Sequence, residues 1–375
     1  MSDKKSIYRG CLLGLAVGDA MGYAVDGKSY DQICADYGPN GLLGYDLVNG
    51  YADVTSHTQI AAFIANSLLL GTTRGQLLGK MAPFVRYGEL ALREWANIQH
   101  SRRLPERPMF WVCRVPQLRR RICMDTRMLD TLSRDKLGTP EEPANQFNTP
   151  GSLVSAISVG LFFHPDRMEI PEIGRLGAEI LALTHGDPMA FLTGATLAYT
   201  IAGIVQDPET NLQDQFLQAA EAVAGQFGRE YPQALALRDG VARTVSMASS
   251  HQWTSAQAMN HLQCETCAQV LFGAVYAVLT CGGDFDTAMI TAVNHSGASA
   301  AVGAIAGAIL GAKYGEEALP EFYLECLEPV EALRTLAEDL AQGCPLDRRA
   351  RLFDDDWDRK YIQGELLETA GWAEE

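Results

Sequence analysis

The chain has 375 residues, 47 % of them hydrophobic, and a formal net charge of −16. The apolar share suffices for a large core, and the acidic balance argues against nucleic acid or an anionic membrane surface as a general partner. Length alone suggests about two to three domains, but no shift in composition marks a boundary, so one domain over 1–375 is expected. No apolar run is read as membrane-spanning, no signal-peptide core follows Met1–Lys5, and nine scattered cysteines fit a reducing, cytoplasmic setting.

Tyr8 to Gly22 predicts a helix with glycine at 10, 14, 18 and 22. Each glycine costs a helix about 1 kcal/mol against alanine, so four in step need a packing reason. Membrane dimerisation uses such spacing, but Asp19 and the short length argue against it. Asp26 follows closely. Tyr30 to Asn49 is turn-rich. Val54-Thr55-Ser56-His57-Thr58-Gln59 leads into a helix over Ile60 to Leu70, with Thr55 or Ser56 as its cap, and 74–100 is also helical.

Between Ser101 and Arg127 eight arginines face only Glu106 and Asp125. The plain expectation for this island, Arg102 to Arg127, is a solvated loop and helix face. The sharper one is a docking surface for an anionic partner or phosphate. Asn145, Gly151 and Ser152 lie in a loop before Gly160. Thr184-His185-Gly186-Asp187-Pro188 opens a helix over Met189 to Val205, with His185 a polar residue bonded to its neighbours.

Helices are expected over 211–226, 232–250 and 254–280. Inside the last, Cys264 and Cys267 have redox or metal spacing but read more simply as buried thiols. Asp284 and Asp286 start a further helix, where acids complement the helix dipole. Ala292 to Gly315 reads as a turn and a helix of small residues, whose first turn points free N–H groups outward. Residues 316–342 and 348–375 carry mixed charge and read as surface helices and a tail, with Asp354-Asp355-Asp356 as solvated charge. Segments of 3.6 periodicity dominate and alternating β-branched runs are nearly absent, so the fold class is all-α.

Five ordered stretches between about residues 8 and 315 resemble the ADP-ribosylglycohydrolase family. The resemblance implies a multi-helix bundle and, in the family, two Mg2+ ions that hold the ribose of an ADP-ribosyl linkage. The family opens with Gly-Asp-Ala-x-Gly and a glutamate near the scissile bond; here these are Gly18-Asp19-Ala20-Met21-Gly22 and the shorter Asp26. Its Ser/Thr-Asp-Asp-Thr-Gln is Thr55-Ser56-His57-Thr58-Gln59 here. Its glycine-rich diphosphate cradle keeps Asn145, Gly151 and Gly160 but has Thr149 and Pro150 for glycines and Ser155 for arginine. Thr184-His185-Gly186-Asp187-Pro188 matches Thr-His-x-His/Asp-Pro. After Ala292-Val293-Asn294, the family's Asp-Ser-Asp-Ser is Ala298-Ser299-Ala300-Ala301. Gly283-Asp284-Phe285-Asp286-Thr287 looks like the same motif but precedes Ala292, in the wrong register.

The resemblance therefore implies a pseudoenzyme: no metal, no cofactor, and the lost ligand positions at Ser56, His57, Ala298, Ala300 and Ala301. The pocket it implies is formed by Asp19, Thr55, Ser56, Asn145, Gly151, Ser152, Asn294, Ser296, Gly297 and Ser299, with Asp26 as the degenerate catalytic position. The expected partner is an ADP-ribose-like small molecule or a protein. A second reading gathers His57, His185 and His295 with Asp19 and Asp26 as metal-free acid–base groups or as Zn2+ ligands. A third makes Asp284 and Asp286 the true metal ligands.

Overall fold

The structure, a computed structural model, describes residues 4–101, 105–164, 167–250, 252–348 and 351–367. Among them are seventeen α-helices. They are α1 Lys4–Tyr23, α2 Tyr30–Tyr37, α3 Ser56–Leu78, α4 Phe84–His100, α5 Arg127–Leu132 and α6 Ser155–Phe162. Next come α7 Ile170–Ala182, α8 Pro188–Gln206, α9 Leu212–Phe227, α10 Gln233–Ser250, α11 Ser255–Leu262 and α12 Cys267–Thr280. The last are α13 Phe285–Val293, α14 Ser299–Tyr314, α15 Glu321–Glu325, α16 Val330–Gln342 and α17 Asp355–Tyr361. Extended pairing among the described residues is limited to isolated bridges such as Val48 with Tyr51. The fold is all-α, as the periodicity predicts.

The centre is the antiparallel pair α1 and α14. A Cβ on Gly10, Gly14 or Gly18 would sit 2.3, 2.2 or 1.9 Å from the carbonyl oxygen of Gly311, Gly307 or Gly303. One on Gly22 would sit 2.5 Å from Ala300 Cα. The packing reason for the four-residue glycine repeat is thus a backbone-to-backbone contact inside the fold, which only residues without a Cβ permit. Around the pair, α14 also packs on α12 and α13, and α1 on α16. A second layer joins α3 to α4 and α6, and α8 to α6, α7 and α9. Buried apolar side chains form one contiguous cluster from Ile7 to Tyr361.

Several boundaries differ from the sequence reading for local reasons. Tyr30 to Tyr37 is a helix, because Ser29 and Gln32 form a reciprocal capping box. Gly79, at φ 69°, ends α3, so 74–100 is two helices. The 254–280 stretch is also two, broken where Gln263 and Cys264 take φ of 62° and 57°. α8 is long and apolar enough to cross a membrane by length and composition, contrary to the sequence reading; 78 % of that stretch is buried in the fold.

Candidate functional site

Asp19, on the last turns of α1, is fully buried. Its carboxylate accepts from Thr55 N–H at 2.8 Å and hydroxyl at 2.6 Å, and from Thr58 N–H at 3.1 Å and hydroxyl at 2.6 Å. Thr55 is the cap of α3, accepting from His57 N–H at 3.2 Å. Ser56 Oγ accepts the Met124 N–H at 3.0 Å and so fixes the following loop. The start of α3 is therefore pinned between α1 and that loop, and His57 is delivered beside Asp26.

Asp26 closes the N-terminus of α14, accepting the Ala300 N–H at 3.0 Å. Burial pushes its carboxyl pKa up; the Ala300 N–H and the His57 imidazole oppose the shift without cancelling it. His57 is 2 % exposed, and its Nδ1 has no hydrogen-bond partner among the described residues. Both line a cavity of about 260 Å³, together with Gly27, Met124, Asp125, Arg127, Thr149, Pro150, Gly151, Glu265, Ser296, Gly297 and Ala298.

The far wall is built on Asp125. Burial would raise its pKa, but His185, the Thr149 hydroxyl and Arg127 hold it well below the usual carboxylate range. Arg127 Nε donates to it at 3.1 Å, and the guanidinium lies 5.3 Å from the Phe147 ring centre. Gly151 makes room: a Cβ there would be 2.6 Å from Asp125 Cβ. His185 Nε2 sits 3.2 Å from Thr149 Oγ1 and 3.6 Å from Asp125, while Nδ1 is 2.9 Å from the hydroxyls of both Ser152 and Thr184. It acts as a buried positioner behind the wall.

The turn before α14 is built from its own polar groups. His295 Nε2 donates to Ala292 O at 2.9 Å and Nδ1 accepts the Gly297 N–H at 3.0 Å, so both ring nitrogens are engaged. Burial draws its pKa down to about 4, against the pull of the Ala292 carbonyl. Asn294 clasps Leu42 through its N–H and its carbonyl, at 2.7 and 2.9 Å. Ser296 Oγ accepts the Tyr30 N–H at 2.9 Å, and Ser299 Oγ donates to His295 O at 3.3 Å. Asn145 donates to Thr131 and Thr184 and accepts from Phe147 and Gly186.

Of the positions read from sequence, Asp26, His57, Gly151, Ser296, Gly297 and Ala298 line the cavity. Asp19, Thr55, Ser56, Asn145, Ser152, Asn294 and Ser299 form the frame behind it. The three histidines separate: His57 faces the cavity, His185 backs Asp125, and His295 is tied into its turn. Among the described residues no group of three or more His, Cys, Asp or Glu is placed to hold a metal. Ala300 and Ala301 are buried in the first turn of α14.

Asp284 caps α13 through the Thr287 N–H at 2.8 Å, Asp286 ties that helix to α15 by accepting the Tyr323 hydroxyl, and neither lines the cavity. Cys264 and Cys267 are buried free thiols, and burial pushes Cys264 up to about 12. Asp354 caps α17. In the arginine island, Arg102 and Arg103 lie outside the described residues. Arg120 pairs with Asp53 and Glu328, Arg114 donates to Gly364 O and Arg121 to Gln99 O. Sequence reasoning missed Asp125 and Glu265 as wall residues. The available signal for Asp125 was a lone acid two residues from Arg127 within a basic run.

The model of the family described as ADP-ribosylglycohydrolase matches residues 1–350. An uncharacterized protein of Archaeoglobus fulgidus is 26 % identical over 340 residues, covering 89 % of this chain and 95 % of that protein. A solved structure titled ADP-ribosylglycohydrolase-related protein complex superposes with a TM-score of 0.60 at 22 % identity, over 92 % of this chain and 99 % of that one, a likeness of fold. The central helix pair, the cavity at the N-terminus of α14 and the match along nearly the whole sequence agree: this chain belongs to the ADP-ribosylglycohydrolase family.

Proposed function

We propose that this protein is a binding member of its family, a cytoplasmic single-domain chain that holds a ribosyl-type small molecule and has no Mg2+-dependent ADP-ribosyl hydrolase activity. The observation that carries the reading is the donor set. Two hard cations need several oxygen ligands free to point at them. Here Asp19 is saturated by Thr55 and Thr58, Ser56 Oγ holds Met124, and Asp26 holds Ala300 N–H. Ala298, Ala300 and Ala301 offer no oxygen from their side chains. These residues do not fit a two-Mg2+ centre.

The test is a thermal-shift titration with ADP-ribose and with adenosine, each with and without Mg2+, and metal content measured on the same sample. A ligand that binds only the folded state at 100 times its Kd stabilises by about 2.7 kcal/mol. Stabilisation by either ligand that Mg2+ does not change, with no bound metal, is expected. Stabilisation that requires Mg2+ overturns the reading. No response to either ligand moves the function to a protein contact, with the exposed arginines of the 105–127 segment as the first surface to examine.

A second reading has one observation in its favour. Asp26, with its pKa raised, stands beside His57, while Asp125 across the cavity is held ionised. Two carboxyl groups whose pKa values are pushed apart, one up and one down, are the pattern of metal-free glycoside hydrolysis. Hydrolysis of a ribosyl bond in the presence of a chelator, lost on Asp26→Asn, would select this reading over simple binding.

A further inference from the structure

The cavity wall is rich in hydrogen-bond acceptors and poor in donors. Asp26, Asp125 and Glu265 bring three carboxylates to it, against the single guanidinium of Arg127. That guanidinium is turned onto Asp125 at 3.1 Å. A helix N-terminus ordinarily draws anions, but here the protein's own Asp26 covers Ala300 N–H at 3.0 Å. Pro150, also in the wall, has no N–H to offer. An independent observation shows a contact still to be made: His57 is 2 % exposed, lines the cavity, and keeps an Nδ1 without a partner among the described residues. At about 260 Å³ the space lies below the roughly 300–1,000 Å³ of common ligand pockets, so the occupant is small.

We infer that this cavity selects a small ligand rich in hydrogen-bond donors and free of negative charge, and that it disfavours phosphates and diphosphates. The donors are hydroxyls of a polyol or the N–H groups of a guanidinium; both meet Asp26 and the rim carboxylate Glu265, and a hydroxyl also suits His57 Nδ1. A diphosphate would bring like charge against the carboxylates, and the one guanidinium of the lining, Arg127, is already paired with Asp125. The inference rests on the binding reading above and narrows its ligand: the uncharged ribosyl part of a nucleotide is held, its diphosphate is not.

Isothermal titration of the full chain without divalent metal, using ribose, adenosine, methylguanidinium, ADP-ribose and inorganic pyrophosphate as probes, tests it. At least one of the first three is expected to bind at least about tenfold tighter than ADP-ribose, with pyrophosphate not binding. Ribose or adenosine as the tightest identifies the polyol source, methylguanidinium the guanidinium. Glu265→Lys, at an exposed rim position, should narrow the gap by roughly tenfold, with an unchanged melting temperature confirming the fold. ADP-ribose binding tighter than the uncharged and cationic probes without metal overturns the inference while the metal-free binding reading stands. A repeat of the titration with Mg2+ in which ADP-ribose binds only when the metal is present overturns both. Failure of all probes to bind overturns the inference.

Discussion

Replacing Gly18 by alanine should destabilise the protein although alanine is the better helix former. The added Cβ would lie 1.9 Å from Gly303 O and 2.2 Å from Gly303 C, both backbone atoms that no rotamer can move. Restoring ordinary contact near 3.5 Å requires α1 and α14 to part by about 1.5 Å. A gap of that order forfeits more than half of the dispersion attraction at neighbouring crossings, here those of Gly14 with Gly307 and Gly22 with Ala300. Overpacking of this kind costs about 3 kcal/mol, and helix propensity returns about 1 kcal/mol. The net loss is about 2 kcal/mol. For a chain of 375 residues the unfolding entropy is roughly 0.8 kcal/mol per kelvin, so the melting temperature should fall by about 2 to 3 °C. Gly225 on α9 is the internal control: it is exposed, and a Cβ there meets nothing within 4 Å. Gly225→Ala should stabilise by about 0.4–1 kcal/mol. Scanning calorimetry with urea titration reads both. Shifts of the same sign for the two variants would refute the close-approach argument.

Asp19→Ala removes the acceptor of two buried N–H groups and two hydroxyls; a loss of about 3–5 kcal/mol is expected by urea unfolding, and a loss near 1 kcal/mol would mean that water replaces the carboxylate. Asp284→Ala should cost about 1 kcal/mol as a lost cap and leave ligand affinity in the cavity unchanged; altered affinity would reopen Asp284 as a site residue. His295, with its pKa drawn from the ordinary 6.5 down to about 4, stays neutral in the fold while the unfolded chain takes up a proton. Its contribution is therefore intact above pH 6.5 and declines as pH falls toward 4, by about 2–3 kcal/mol in all. His295→Gln should flatten the stability profile between pH 6.5 and 4.5 relative to the native chain; parallel profiles would contradict the assignment.

Local features of the fold were legible in the sequence because they are set by nearest neighbours. Thr55 as a cap, Asp284 as a helix start and the glycine repeat of α1 each follow from one short stretch. The partner of that repeat was half legible: Ala292 to Gly315 reads as a buried helix of small residues, yet its antiparallel pairing with α1 depends on contacts across most of the chain. Breaks were missed where the backbone turns to positive φ, at Gly79 and, without a glycine to mark the turn, at Gln263 and Cys264. The cavity shows the same division. Asp26, His57 and Gly297 were found through motif resemblance, whereas Asp125 and Glu265 belong to irregular segments with no periodic signature, and only their meeting makes them a wall. The converse error was to place frame residues in the pocket. Asn145 and Asn294 hold loops together through backbone bonds, a role that spacing cannot distinguish from ligand contact.

The central helix pair joins parts of the chain that are made far apart in time. About 275 residues separate the end of α1 from the start of α14, and closing a loop of that length is entropically slow. At ribosomal rates of about 5–20 residues per second, α1 is made on the order of 15 to 55 s before its groove partner exists. During that interval an apolar helix with an open glycine face has nothing to dock against. α1 is thus satisfied only after most of the fold has been made, and chaperone binding or transient cover by the helices that precede α14 would protect it until α14 leaves the ribosome. A chain truncated before Ser299 should therefore accumulate as an aggregate, while one cut after Gly315 has the means to close its centre.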